Sequence, residues 1–235
     1  MTTTLITGAN KGLGFETARQ LIAAGHTVYL GSRDQGRGQR AAEEIGARLV
    51  VLDVTDDASV EAAAKTIEAD GGLDVLINNA GVEARKPDKG VPDAGETTAD
   101  LMRSVFDTNV FGLVRVTHAF LPVLERSAAP VIVNVSSGLA SLTGASSPAS
   151  PGYGYAGLAY PASKTAVNMM TVQYAKAFPR MRINSVEPGF TKTDLNMNTG
   201  IQTVQQGAEV IVGVALFGPD GPTGGYFHAG GQLPW

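Results

Sequence analysis

The sequence predicts an α/β protein with a doubly wound, mainly parallel sheet of seven strands and helices on both faces. Three observations predict it. Short β-branched runs alternate with segments of helical spacing along almost the whole chain. The first such run, residues 3–7, leads directly into a glycine-rich turn, Gly8-Ala9-Asn10-Lys11-Gly12-Leu13-Gly14, and from there into helical periodicity. Later runs end in small, amide or hydroxyl residues, as at Asn78-Asn79-Ala80-Gly81 and Ser136-Ser137, on the edge where an open parallel sheet binds ligands.

With 235 residues, 43% of them hydrophobic, the chain has the material for one domain spanning 1–235. The net charge of −4 comes from acidic and basic residues mixed along the sequence, which argues against a stripe for nucleic acid or a polybasic membrane anchor. A small-molecule partner is the expectation that remains. No apolar run reaches the roughly 20 residues of a membrane span, and the N-terminal residues enter a strand pattern without a leader pattern, so a soluble, cytoplasmic protein is expected. The lack of cysteine excludes disulfides, thiolate catalysis and cysteine-bound zinc. His26, His118 and His228 are too scattered to read as a cluster, and no metal is expected.

Residues 3–7 are the first strand and 15–24 the first helix. In the turn between them, glycine permits positive φ and close backbone approach to a phosphate, while the helix N-terminus offers free N–H groups. Residues 27–31 read as a second strand, followed by Ser32, Arg33 and Asp34. In a dinucleotide-binding unit an acidic residue here would bond the adenine ribose, whereas an arginine accommodates a 2′-phosphate. Ser32-Arg33 favours the phosphate, and Lys11 can approach the same corner, so that two cations converge on it; the alternative for each is a solvated surface charge. Asp34 is a neighbour that could pair with Arg33.

Residues 35–46 form a helix, 48–54 a third strand and 56–70 a helix stopped by Gly71-Gly72. Asp53, at that strand's end, either accepts from an adenine amino group or caps the next helix. A fourth strand, 73–77, ends in Asn78-Asn79-Ala80-Gly81, which either admits a cofactor or makes an ordinary turn. Residues 83–95 read as a surface loop. Thr97-Thr98-Ala99-Asp100 has the form of a capping box and opens one long helix reaching the Pro122 region. Within it, Asn109 stands between apolar neighbours and needs partners, either in the backbone of a kinked turn or by simple packing.

A fifth strand, 131–135, precedes Ser136-Ser137, and 138–159 is rich in Gly, Ser, Pro and Ala, loop-like and extended. Tyr160-Pro161-Ala162-Ser163-Lys164 then starts a helix running to 178, with Pro161 suited to its first turn. Four residues apart, Tyr160 and Lys164 share one face. A free phenol has a pKa of about 10, and an adjacent cation favours the phenolate, so the pair reads as a tuned acid/base. Tyr153 and Tyr155 have Gly157 and Ala159 where that lysine would be. A sixth strand, 181–186, is followed by Glu187-Pro188-Gly189-Phe190-Thr191-Lys192-Thr193-Asp194, a helix over 203–217 and a seventh strand, 225–228.

In order and approximate spacing, Thr7-Gly8-x-x-x-Gly12-x-Gly14, Asn78-Asn79-Ala80-Gly81, Asn109, Ser136-Ser137, Tyr160-x-x-x-Lys164 and Pro188-Gly189 resemble the short-chain dehydrogenase/reductase family. The resemblance covers essentially the whole chain. Asn10-Lys11-Gly12-Leu13-Gly14 and Ser32-Arg33-Asp34 look most like the NADPH-dependent carbonyl reductases. It implies a Rossmann-type fold and hydride transfer from NADPH to a ketone, aldehyde or quinone carbonyl. Tyr160 would be the proton donor and Lys164 would lower its pKa and hold the nicotinamide ribose. Ser137, with Ser136 not excluded by strand register, would bond the substrate oxygen, and Asn109 would support Lys164 through a water and a local helix distortion.

The same resemblance puts the coenzyme on Gly8, Asn10, Lys11, Gly12, Leu13 and Gly14, on Ser32 and Arg33, and on Asp53 and Val54. It adds Asn79, Ala80 and Gly81, the pair Tyr160 and Lys164, and Pro188, Gly189, Thr191 and Thr193. The other readings are an NADP-linked alcohol dehydrogenase working mainly in oxidation and a non-catalytic NADP-sensing regulator; nucleotide binding alone does not need the tyrosine or the serine. The long 138–159 stretch sets the chain apart from most of the family and favours a monomer or small homo-oligomer, since it lies where long helices would pair.

Overall fold

In the computed structural model, which describes residues 2–235, the β-branched runs become β1 (Thr3–Ile6), β2 (Thr27–Ser32), β3 (Arg48–Val51), β4 (Val75–Asn78), β5 (Val131–Val135), β6 (Arg182–Val186) and β7 (Tyr226–His228). These seven pair in parallel in the order β3-β2-β1-β4-β5-β6-β7. An eighth strand, β8 (Gly231–Gln232), adds antiparallel to β7 through Phe227↔Gln232. It is two exposed residues long and has no hydrophobic alternation, so the sequence pattern did not announce it. The chain leaves β1 towards β2 and β3 and returns to β4 on the other side, opening the crevice at the carboxyl ends of β1 and β4.

Alternate residues of each strand enter opposite layers. Leu5, Leu76, Ile132 and Ile183 pack with α3 (Asp57–Ala69), α5 (Gly112–Leu124) and α7 (Ala159–Ala177), through Ile67, Phe120 and Ala175. Ile6, Ile77, Val133 and Val186 pack with α1 (Gly12–Ala23), α2 (Gln35–Ile45) and α8 (Val204–Ala215), through Leu21, Ala41 and Ile211. Leu5, Ile6, Leu76 and Ile132 are at most 1% exposed, and truncating a leucine or isoleucine so placed costs about 2–5 kcal/mol. Buried polar side chains join strand to strand and strand to helix. Asn78 Nδ2 donates to Asn134 Oδ1 (2.9 Å), Asn134 Nδ2 to Thr171 Oγ1 (2.8 Å), and Thr171 Oγ1 lies 2.8 Å from Ser185 Oγ.

Three expectations need correction. The single long helix after Thr98 is α4 (Ala99–Phe106), a π-helical turn at Asp107–Phe111 and then α5. The 138–159 stretch is not simply extended: a 3₁₀ turn (Gly138–Ala140) and a short helix α6 (Leu142–Ala145) lie in it, each opened by a serine, Ser137 or Ser141, that caps it. The third strand stops at Val51, because Asp53 Oδ1 turns the chain by accepting from both the backbone N–H (2.9 Å) and the hydroxyl (2.8 Å) of Thr55.

Candidate active site

The glycine turn lies at the carboxyl end of β1, where Gly8 has φ +62° and a Cβ on it would stand 3.1 Å from Ala80 Cα. A Cβ at Gly14 would be 2.5 Å from Asn79 Nδ2 and 2.9 Å from Ala9 Cα. That amide anchors the turn: Asn79 Nδ2 donates to Thr7 O (2.8 Å) and Gly8 O (3.2 Å), while Thr7 Oγ1 accepts from Asn79 N (3.0 Å) and Ala80 N (2.9 Å). The N-terminus of α1 has no side-chain cap, which leaves its first N–H groups for an anion. An open cavity of about 330 Å³ beside it is lined by Asn10, Lys11, Arg37 and Arg40, with Glu44 as its one carboxylate. A bare helix N-terminus and three cations around one hollow fit a coenzyme with a phosphorylated ribose.

Arg37 and Arg40 escaped the sequence reading, though both lie on α2 just beyond Arg33. Of the residues it did single out, Arg33 is exposed and its positive charge is felt at Asp53. Burial pushes the Asp53 carboxyl up, but the Thr55 bonds and the charges of Arg33 and Arg115 together hold it below the usual carboxylate range. Ser32 is buried and its hydroxyl donates to Asp34 O (2.9 Å), so it faces into the fold. Asp34 caps α2 through Arg37 N (2.8 Å) and pairs with Arg37, leaving Arg33 free of it. Lys11 does not turn to Arg33. Its Nζ reaches Asp194 Oδ2 at 2.6 Å, across the glycine turn to the loop after β6. Exposed on both sides, that pair is worth about 1 kcal/mol or less.

The other half of the edge closes over the same crevice. Leu13 faces α8, and Thr193 lies over Gly12, 3.7 Å from where its Cβ would be. Thr191, 3% exposed, donates to Pro188 O (3.0 Å) and Gly189 O (3.1 Å) and accepts from Gln202 Nε2 (2.8 Å), which fixes the turn after β6.

Asn109 sits in the π turn, closed by Gly112 N bonding Asp107 O. The extra residue of such a turn redirects one side chain inward. Asn109 Oδ1 accepts from Val82 N (2.8 Å), and Nδ2 donates to Val82 O (2.9 Å) and Ser163 Oγ (3.0 Å). Ser163 in turn donates to Tyr160 O (2.7 Å), so the kinked helix and the first turn of α7 are locked together. A cavity of about 10 Å³, the size of one water, is lined by Asn109, Asn78, Val54, Ala80 and Lys164.

Tyr160 is the second residue of α7, with Pro161 after it in the first turn. Lys164 is 4% exposed, and its Nζ donates to Val135 O at 2.7 Å and lies 5.8 Å from the centre of the Tyr160 ring. Burial of the ammonium pulls its pKa down to about 8. The expected lowering of the Tyr160 pKa is not found. Burial pushes the phenol up, Glu83 and Glu187 add to that, and only a hydrogen bond with Ser137 acts the other way. Ser137 therefore stands beside the phenol, whereas Ser136 is 2% exposed and turned to Lys164 O (3.4 Å). Ser137 Oγ accepts from Leu139 N (3.3 Å), and Tyr226 donates to the Ser137 carbonyl. Glu83 and Tyr226 were not legible as site residues, because each arrives from a distant loop or strand, while Ser163 and Glu187 stood inside quoted motifs without a role of their own.

A family model described as short chain dehydrogenase matches residues 2–203. The (+)-neomenthol dehydrogenase of Capsicum annuum is 31% identical, over 95% of this chain and 94% of its own length. Among solved structures, salutaridine reductase from Papaver somniferum superposes with a TM-score of 0.84 at 30% identity, covering 97% of this chain and 100% of that one. The NADPH-bound carbonyl reductase from chicken fatty liver gives a TM-score of 0.85 at 26% identity, covering 100% and 99%. The chain belongs to the short-chain dehydrogenase family.

Proposed function

We propose that this chain is an NADPH-dependent reductase of small carbonyl compounds, also competent for the reverse oxidation of the alcohol, with Tyr160 as its proton donor. The observation that carries this reading is the meeting of Ser137, Tyr160, Lys164 and Asn109 at one strand edge, beside a phosphate cradle. Bound NADPH supplies the hydride. Tyr160, its phenol kept protonated by burial and by Glu83 and Glu187, gives its proton to the substrate oxygen as a general acid. Ser137 holds that oxygen by a hydrogen bond that strengthens as negative charge develops on it. Lys164 keeps a cation beside the phenol, which stabilises the phenolate left behind, and Asn109 fixes the turn that carries both. Arg37 and Arg40, which line the hollow beside the α1 N-terminus, together with the exposed Arg33, would hold a 2′-phosphate.

Replacing Tyr160→Phe removes only the hydroxyl. Turnover is expected to fall by about 10²–10⁴-fold with NADPH affinity nearly unaltered, as read by stopped-flow turnover and coenzyme fluorescence titration. A variant keeping more than a few per cent of kcat would place the acid elsewhere. No helix among the described residues is long and apolar enough to cross a membrane. We also read the chain as a cytoplasmic monomer or small homo-oligomer; light scattering that finds a tetramer built on α5 and α7 overturns the oligomeric part.

A further inference from the structure

Glu187 lies close enough to Tyr160 for its charge to help keep the phenol protonated, but it neither gives nor takes the proton in the step just described. Its backbone N–H bonds Phe227 O (2.7 Å), which fixes its position between β6 and the Pro188-Gly189 turn. Its Oε1 accepts from Gly189 N at 2.8 Å. The carboxyl group lies against Gly138, with Cγ and Oε1 each 3.5 Å from where a Cβ on that glycine would be, so it is one residue away from Ser137. Its charge is felt at Tyr160 and at Tyr226, which holds the Ser137 carbonyl.

A half-buried carboxylate is costly unless it is paired, yet no lysine or arginine pairs with Glu187 among the described residues. Desolvation pushes the carboxyl above its ordinary range, opposed by the backbone N–H groups of Gly189 and Gly138 and by the nearby His228 ring. The neighbouring Glu83 is different: its two oxygens are taken by Tyr155 and by Arg85. With the backbone N–H groups of Gly189 and Gly138 facing it and no lysine or arginine partner among the described residues, the Glu187 carboxylate keeps acceptor capacity beside Ser137.

We propose that Glu187 is the specificity-determining residue of the substrate site, taking a hydrogen-bond donor, hydroxyl or ammonium, that the substrate carries close to its reacting carbonyl. The inference rests on the reductase reading and narrows it to hydroxy- or amino-carbonyl compounds. A carboxylate selects for such a group and against a second carboxylate on the substrate, because an unpaired donor or a like charge is penalised on either side.

The test is kcat/KM with NADPH for three ketones of one skeleton, bearing hydrogen, hydroxyl or amine on the carbon next to the carbonyl, and for the matching keto acid. Wild type is expected to favour the hydroxyl or amine compound over the unsubstituted ketone by about tenfold or more, and to reject the keto acid. The two donor arms tell which group is taken: Glu187→Gln, which keeps an acceptor for Gly189 N, should collapse an amine preference at least tenfold and a hydroxyl preference less. Turnover of the plain ketone equal to that of both donor compounds in wild type, or an equal loss on all three in Glu187→Gln, overturns the assignment while leaving the reductase reading intact. Failure of every ketone to oxidise NADPH overturns both. Because the wild-type ratios alone decide the matter, the assignment stays testable even if the variant fails to fold.

Discussion

At the coenzyme edge, the bonds that hold the site run between neighbouring strand ends: Asn79 to Thr7 O and Gly8 O, on strands whose register sets Ile6 opposite Ile77. At the substrate mouth they run between loops far apart in sequence. Tyr155 donates to Glu83, Glu83 pairs with Arg85, and Arg85 reaches Leu195 O at 3.0 Å. One region is held by one short amide and one hydroxyl against backbone, with glycine where no side chain fits; the other is held by a few long side chains on one carboxylate. The first kind of site is rigid and tolerates almost no added atom, whereas the second can be retuned by single exchanges.

The comparison breaks most visibly at Gly14. Gly14→Val places a side chain where even a Cβ is 2.5 Å from Asn79 Nδ2, and loss of coenzyme affinity by more than about 100-fold is expected in calorimetric titration. Near-native affinity would show that the cradle yields. Arg33→Ala probes the same edge through charge: a charge-assisted bond contributes about 1.5–3 kcal/mol, so kcat/KM for NADPH should drop roughly ten- to a hundred-fold while that for NADH hardly moves. Equal losses with both coenzymes would make Arg33 an ordinary surface charge.

Lys164 sharpens the contrast through stability. Its folded pKa of about 8 lies below the free value of 10.5, so the unfolded chain binds the extra proton between these values. The cost of burying the ammonium is full below about pH 8 and is relieved as pH rises towards 10.5. Relative to Lys164→Met, the wild-type unfolding free energy should therefore gain up to about 1.4 kcal/mol per pH unit across that window, measured by urea titration. Parallel pH curves would mean the ammonium is not desolvated. The smallest effect belongs to the mouth: Tyr155→Phe removes one bond to Glu83 and should raise the carbonyl KM a few-fold, with the NADPH KM unmoved. A change in the coenzyme KM instead would show that the two regions are not separable.

What could be read from sequence follows the same division. Strand periodicity, the glycine turn and Tyr160-x-x-x-Lys164 are local patterns, and each appeared where it was expected. The π turn was legible as an amide in need of partners and a candidate helix kink, but its partner was not, since no spacing reveals Val82. The pairing of Lys11 with Asp194 was not legible, because that carboxylate comes from a distant loop. The direction of the Tyr160 pKa was misjudged for a related reason: burial and two glutamates from other elements push the phenol up, and Ser137 is what acts the other way.

Tyr226, whose hydroxyl supports the Ser137 carbonyl from 89 positions further on and whose ring stacks on Trp235 at 5.5 Å, also orders events in time. A ribosome delivers β1 to β5 and the glycine cradle first, and domains begin to fold from the N-terminal side while synthesis continues. The serine proposed to bind the substrate oxygen has its carbonyl partner only after β7 emerges. A nascent or truncated chain that stops short of Tyr226 therefore carries the nucleotide cradle without a finished catalytic edge, which separates the birth of binding from the birth of turnover.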